Sequence, residues 1–179
     1  MGLSLGGVMA AWAGQERLDV ARTVAIAPMF GAAMVARPYT SLLTRALLWL
    51  PNRFVWWNQR AKLALPGPTQ AYPRFSTRAV AETMRLGLKV ERDAARRAPR
   101  ARELVLVSVE RDVAINNASS NHIAELWKRR GGIVRSFEFP AALKLNHDVI
   151  DPDQVGARID VVYPMLDQLI MGADEATPR

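Results

Sequence analysis

Cysteine is absent from this chain of 179 residues, and histidine occurs only twice. The lack of cysteine excludes disulfides and thiolate metal sites. The two histidines, His122 and His147, lie far apart in the sequence, which argues against a catalytic zinc. No apolar run reaches the roughly eighteen residues that a membrane-spanning helix needs. We therefore expect no metal and no cofactor, and a cytoplasmic protein.

Half of the residues are hydrophobic, which is enough for one domain with a substantial core. The net charge is +7, and arginine far outnumbers lysine. Much of the excess lies between Arg74 and Arg102, which suggests attraction to anionic membranes or substrates, or simply a solvated face. No helix-turn-helix, zinc-finger or RNA-binding motif accompanies this charge, so we predict no nucleic-acid partner.

The first residues carry a Gly-x-Ser-x-Gly motif, from Gly2 to Gly6. This is the sequence form of a nucleophile elbow, a tight turn between a strand and a helix that presents the serine, here Ser4. We expect that positions 2 and 6 require glycine, because a Cβ atom on Gly2 or Gly6 would clash with neighbouring backbone. A one-sided apolar stripe predicts the helix that should follow, and the N–H of Leu5 would then stabilise an oxyanion.

Other interpretations of this N-terminus start from the same residues. A glycine-rich tail remains open on the motif alone. Myristoylation would require Ser or Thr at position 6, where Gly6 stands. A signal peptide would need a preceding positive charge and a longer apolar segment.

A second candidate side chain follows a predicted buried strand, Glu103 to Val109. Its continuous apolar run is typical of a parallel strand that is covered on both faces. Parallel sheets carry their functional groups just beyond the carboxyl ends of the strands. We therefore predict Asp112 as the acid of a catalytic site, with Glu110 as the nearby alternative.

The third candidate is His147, in a loop after the last predicted strand. The preceding segments are a predicted helix from about Asn117 to Arg130 and a strand from Ile133 to Phe139. His122 lies in the middle of that helix and is predicted to be a surface or core-edge residue. Ser4, Asp112 and His147 thus occur in the order nucleophile, acid, histidine.

These features resemble the C-terminal part of an α/β-hydrolase, most like the serine-aminopeptidase and monoacylglycerol-lipase branch. The resemblance implies parallel strands with flanking helices and hydrolysis of a carboxylic ester, such as an acylglycerol, through an acyl-enzyme. Ser4 would attack the carbonyl, His147 would carry the proton, and Asp112 would hold the imidazole in its working tautomer.

Residues 31–102 interrupt the alternation of strands and helices. By position they match the cap of that family, so we predict a core of 1–30 and 103–179 and a helical cap of 31–102. The longest predicted cap helix runs from Thr77 to Arg97. Five tryptophans and tyrosines fall in the cap and suggest a lid for an apolar substrate: Tyr39, Trp49, Trp56, Trp57 and Tyr72. They could equally pack the cap onto the core, and the segment from Leu47 to Trp57 could contact a membrane surface.

The elbow motif begins at the second residue, so we expect the strand that feeds it to lie largely outside this sequence. The loop that supplies the second oxyanion donor in the family would be missing as well. Either Met1 is an internal residue of a longer protein, or another chain supplies the N-terminal half. Two functions therefore stand: an esterase that uses the predicted triad, and a catalytically impaired hydrolase-like fragment or binding module.

Overall fold

The computed structural model describes residues 1–56, 74–154 and 156–171. The strands are β1 (Gly2–Leu3), β2 (Arg22–Ile26), β3 (Phe54–Trp56), β4 (Arg74–Ser76), β5 (Glu103–Val109) and β6 (Ile133–Phe139). The helices are α1 (Leu5–Glu16), α2 (Thr40–Trp49), α3 (Thr77–Arg96), α4 (Asn117–Arg129) and α5 (Ile159–Met171).

A parallel sheet with the strand order β1-β2-β5-β6 forms the centre of the fold. Strand β2 pairs with β5 along its whole length, with Val24 opposite Val105. Every residue of β5 from Leu104 to Val109 is buried. A strand buried on both faces requires the uniform apolar composition that the sequence shows here. All four strands point the same way, so their carboxyl ends meet at one edge of the sheet.

Helices cover both faces of this sheet. On one face, α1, α3 and α4 contribute Val8, Met84 and Trp127 to a common core. On the other face, α5 contributes Val162 and Leu166. The fold class predicted from the sequence, parallel strands with flanking helices, is confirmed.

Helix α3 lies within the predicted cap, residues 31–102, but packs against α1 and α4 of the body. Its apolar side chains Val80, Met84 and Val90 are buried in the same core as Val8 of α1. The division into core and cap stays a prediction, and this packing places α3 with the core rather than above it.

A buried polar contact ties the C-terminal end of α1 to α4. Gln15 is fully buried, and its Oε1 accepts a hydrogen bond of 2.6 Å from Trp127 Nε1. A buried indole N–H without a partner would cost about 1–3 kcal/mol, so this contact helps to fix α1 on the body. The helix that directly follows Ser4 is thereby anchored at its far end.

Strands β3 and β4 follow α2 along the chain and pair with each other antiparallel, a pairing that was not predicted from the sequence. Arg74 lies over the ring of Trp56, 5.4 Å from its centroid. Trp57 and Tyr72, two of the predicted lid aromatics, lie outside the described residues, as does the segment 172–179. In the described part of the chain, no helix combines the length and the apolar character needed to cross a bilayer.

Candidate functional site

Ser4 stands between β1 and α1 in a backbone conformation that side chains rarely adopt, with φ 53° and ψ −113°. Such a conformation costs on the order of 1–3 kcal/mol and persists only where its surroundings hold it. The N–H of Ser4 donates to the carbonyl of Ile26, at 2.9 Å. Its carbonyl accepts from Met29 N–H at 3.1 Å and from Val8 N–H at 3.2 Å. Backbone bonds to β2, to the segment after it and to α1 therefore hold the turn.

Two of the three glycines at the turn are required by close packing. A Cβ atom on Gly2 would lie 2.2 Å from the Gly6 carbonyl oxygen, and one on Gly7 would lie 3.0 Å from Cα of Pro28. Among the residues that the structure describes, a Cβ atom on Gly6 would meet no such neighbour within 4 Å. The expected clash is confirmed for Gly2 and is wrong for Gly6, because the Gly6 side-chain direction faces open space.

Helix α1 begins at Leu5, directly after Ser4. The side chain of Ser4, the N-cap residue, makes no capping hydrogen bond, and no acidic residue lies in the first turn of the helix. The first N–H groups of a helix have no partner within the helix and carry partial positive charge. The N–H of Leu5 is therefore available to an anion beside Ser4, which is the arrangement that an oxyanion hole needs.

Asp112 lies in the turn that follows β5, with a fully buried side chain. Its Oδ1 accepts hydrogen bonds from Ala114 N–H at 2.8 Å and from Ile115 N–H at 3.2 Å. Its Oδ2 lies 2.7 Å from Nδ1 of His147. Buried carboxylates are stable only when their oxygens are satisfied, and here both oxygens have partners.

His147 is held by the loop that follows β6, and its side chain is 14% exposed. Leu145 and Val149 on either side are buried in the same core cluster as Val107 of β5. These two anchors hold the loop against the end of the sheet. An ionised Asp112 can only accept a hydrogen bond, so this contact fits the tautomer with the proton on Nδ1, in which Nε2 is the atom that can accept a proton.

The structure thus brings two of the three predicted side chains into contact, and it places the third at the same edge. Ser4, Asp112 and His147 each follow the carboxyl end of a sheet strand, β1, β5 and β6. Within the described ranges, the only hydrogen bond between two of these three residues joins Asp112 to His147. The Ser4 hydroxyl can rotate about its Cα–Cβ bond. In structures without substrate, catalytic hydrogen bonds such as one from Ser4 to His147 are often long or poorly aligned, and they tighten when substrate binds.

The alternative acid, Glu110, has a different partner. Its Oε2 accepts a hydrogen bond of 2.7 Å from the N–H of Ala141, at the start of the histidine loop. The other histidine, His122, lies on α4 with Nε2 3.2 Å from Glu91 and is 34% exposed, as expected of a surface or core-edge residue. The role of Met29, whose N–H supports Ser4, was missed because no side-chain pattern reports a backbone contact.

Several solved structures have a fold similar to that of this chain. A soluble variant of monoglyceride lipase from Saccharomyces cerevisiae, in complex with a substrate analogue, matches with a TM-score of 0.67 and 12% identity over 95% of this chain and 62% of that one. A monoacylglycerol lipase of Paleococcus ferrophilus matches with a TM-score of 0.63 and 15% identity over 95% and 66%. A structure described under two metagenome-derived lipolytic enzymes, LipS and LipT, matches with a TM-score of 0.52 and 17% identity over 96% and 64%.

These likenesses show that the chain has the α/β-hydrolase fold, and the resemblance predicted from the sequence is confirmed at that level. The chain spans less than two thirds of the length of the solved structures that it matches. No protein-family model and no curated protein sequence matches it.

Proposed function

We propose that this chain is a serine hydrolase that cleaves carboxylic esters with Ser4, His147 and Asp112. The observation that carries the proposal is the buried Asp112–His147 pair, 2.7 Å apart, at the sheet edge where Ser4 occupies a strained turn. The fold supports it, since the solved structures that match are described as lipases and lipolytic enzymes.

The proposed reaction proceeds through an acyl-enzyme. Ser4 Oγ attacks the ester carbonyl while His147 Nε2 takes the hydroxyl proton, and the resulting oxyanion is bound by Leu5 N–H. The tetrahedral intermediate collapses, the carbon–oxygen bond to the alcohol breaks, and His147 returns the proton to the leaving oxygen. Water then attacks the acyl-enzyme by the same route and releases the acid. Asp112 keeps the imidazole oriented throughout.

A fluorophosphonate probe tests the nucleophile directly, because it forms a covalent bond with an activated serine. We expect one adduct, located on Ser4 by peptide mapping, and none after Ser4→Ala. Hydrolysis of p-nitrophenyl esters by the same two proteins provides the activity measurement. An unlabelled wild-type chain would instead favour the alternative function, a catalytically impaired hydrolase-like fragment or a binding module.

We propose an apolar acyl group as the part of the substrate that this esterase recognises, as in an acylglycerol. The proposal rests on the apolar residues of the cap segment, where Trp49 is 87% exposed and Leu42 is 65% exposed. An exposed apolar surface of this kind marks a binding site or an interface.

The same surface is our candidate for contact with a membrane. Besides Leu42 and Trp49, helix α2 exposes the cation Arg45, and a few residues further along the chain Arg53 is exposed and Phe54 is 64% exposed. Aromatic and aliphatic side chains interleaved with arginine suit the boundary of an anionic bilayer.

Sedimentation with vesicles tests this contact. The chain should bind vesicles of phosphatidylcholine with phosphatidylglycerol, and Trp49→Ser should weaken binding about tenfold, since burial of a large apolar side chain is worth about 1.5–3 kcal/mol. Leu18→Ser is the control, because Leu18 is an apolar residue that is 79% exposed just after α1 and outside the predicted cap. Equal binding by both variants would remove the membrane proposal.

A further inference from the structure

The segment that carries Asp112 runs from the end of β5 at Val109 to the start of α4 at Asn117. Its first half turns directly off β5, where the N–H of Asp112 donates to the carbonyl of Val109 at 3.1 Å. Its second half is held by a different part of the chain, since the N–H of Asn116 donates to the carbonyl of Gly31 at 2.8 Å. The two halves of the segment therefore have separate anchors.

The carboxylate of Asp112 bridges these two halves. Its backbone belongs to the first half, but its Oδ1 accepts hydrogen bonds from the N–H groups of Ala114 and Ile115 in the second half, at 2.8 and 3.2 Å. A shift of one half relative to the other would rotate the carboxylate and move Oδ2, which lies 2.7 Å from Nδ1 of His147. The orientation of the proposed acid thus depends on how the two halves are joined.

The side chain of Asn117 joins the two halves directly. Asn117 is the first residue of α4 and is half-buried, and its Nδ2 donates a hydrogen bond of 2.7 Å to the carbonyl of Val109. That carbonyl also accepts the N–H of Asp112, so it is held from both halves. The contact closes the segment into a loop that contains Asp112.

The amide of Asn117 occupies this position at a cost. In the part of the chain that the structure describes, its Oδ1 is buried and has no hydrogen-bond partner. An unsatisfied buried acceptor lowers stability, whereas a leucine of similar shape would bury no polar atom. A polar group in this state requires an explanation other than packing. The NH2 group of the same amide, which holds the Val109 carbonyl, provides one.

We propose that Asn117 is a positioning residue for the acid of the site, an inference that rests on the hydrolase function proposed above. Its hydrogen bond is to the carbonyl of Val109, so it acts on the reaction only through Asp112. By fixing the segment that carries Asp112, it keeps Oδ2 on Nδ1 of His147 and so keeps the imidazole oriented.

Asn117→Leu removes the amide and keeps a side chain of similar size. We expect kcat for a p-nitrophenyl ester to fall about 10²-fold, the loss expected of a displacement near 1 Å at a reacting group. KM should stay within about twofold of the wild-type value, because uniform binding of the substrate is unchanged. The melting temperature should change little, since the variant loses a hydrogen bond but also removes the buried Oδ1.

Two isosteric variants provide a matched comparison, Asn117→Asp and Asn116→Asp. Each adds one negative charge at the start of α4 and each removes one NH2 donor. Asn116 donates from Nδ2 to the carbonyl of Val35 at 2.7 Å, not to Val109. We expect Asn117→Asp to lower kcat at least as much as Asn117→Leu, and Asn116→Asp to stay within about threefold of the wild type. Equal losses in the two variants would assign the effect to charge or to general loosening and would overturn the proposal.

A double-mutant cycle distinguishes positioning from a purely structural role. In the Asp112→Asn protein the carboxylate is already gone, so Asn117→Leu should lower kcat no further. Effects of residues that act through one another are not additive, whereas independent structural losses are. The same 10²-fold loss in both backgrounds would show that Asn117 does not act through Asp112.

Proton NMR of the Ser4→Ala protein tests the same contact without any reaction. A proton shared between an imidazole Nδ1 and a carboxylate resonates far downfield, and the chain has only two histidines, so His122→Gln assigns the signal to His147. We expect this signal to persist with Asn116→Asp and to be lost with Asn117→Leu. An unchanged signal in the Asn117→Leu protein would overturn the proposal, whatever the activity. If the fluorophosphonate does not label Ser4 but Asn117→Leu abolishes the signal, the hydrolase proposal fails and the positioning of Asp112 by Asn117 stands.

Discussion

Asp112→Asn is expected to lower kcat for ester hydrolysis about 10⁴-fold while the protein stays folded. Asparagine can keep the hydrogen bonds that Asp112 Oδ1 accepts from Ala114 and Ile115 N–H groups. Its amide nitrogen, however, would donate a proton to Nδ1 of His147, where the carboxylate now accepts one. The imidazole would then carry its proton on Nε2 and could not accept one from Ser4.

The measurement is kcat for a p-nitrophenyl ester from pH 5 to 9, with a melting curve for each protein. Glu110→Gln is the matched control, because Glu110 is a nearby carboxylate bonded to a backbone N–H rather than to the histidine. It should retain nearly all of the activity. An Asp112→Asn protein within tenfold of the wild-type rate would show that Asp112 does not orient the base.

The central strand illustrates what the sequence can predict well. The apolar run from Glu103 to Val109 predicts a doubly covered parallel strand, and β5 has these bounds and this burial. A run of this length and composition is a strong local signal for a buried strand. Strand β1 has only two residues and exists because Gly2 and Leu3 pair with Ala25 and Ile26 of β2, so it has no local signal.

Helix α3 shows why partners are harder to predict than elements. Its amphipathic pattern predicts a helix from Thr77 to Arg97, and the helix runs from Thr77 to Arg96. The pattern cannot say which surface the apolar face will meet. In the structure that face lies against α1 and α4, because the body offers it Val8 and Trp127 as core partners.

In the candidate site, too, the residues could be predicted from the sequence, but their contacts could not. Residue order along the chain predicts Ser4, Asp112 and His147, since parallel strands deliver their carboxyl ends to one edge. The contact between Asp112 and His147 depends on loop conformation, including the left-handed Lys144. Loop conformation has no periodic signal, so the sequence favours Asp112 over Glu110 as the acid, while the contact between Asp112 and His147 is visible only in the structure.

Gly2→Ala is expected to disrupt the elbow, because the new Cβ atom would lie 2.2 Å from the carbonyl oxygen and 2.3 Å from the carbonyl carbon of Gly6. These are backbone atoms of the first turn of α1, so the helix start must move relative to β1. Overpacking of this kind costs about 1–3 kcal/mol of unfolding free energy. A displacement of about 1 Å at Ser4 and Leu5 would lower kcat/KM about 10²-fold or more.

Gly6→Ala provides the matched comparison, since it adds the same methyl group within the same motif. Its Cβ atom would meet no neighbouring atom of the kind that blocks Gly2, and Gly6 lies inside α1, where alanine is favoured over glycine by about 0.5–1 kcal/mol. The Gly6→Ala protein should therefore melt no lower than the wild type and should keep fluorophosphonate labelling at Ser4. The Gly2→Ala protein should melt at a lower temperature, and its labelling at Ser4 should fall. Equal behaviour of the two variants would mean that the close approach at Gly2 does not hold the turn.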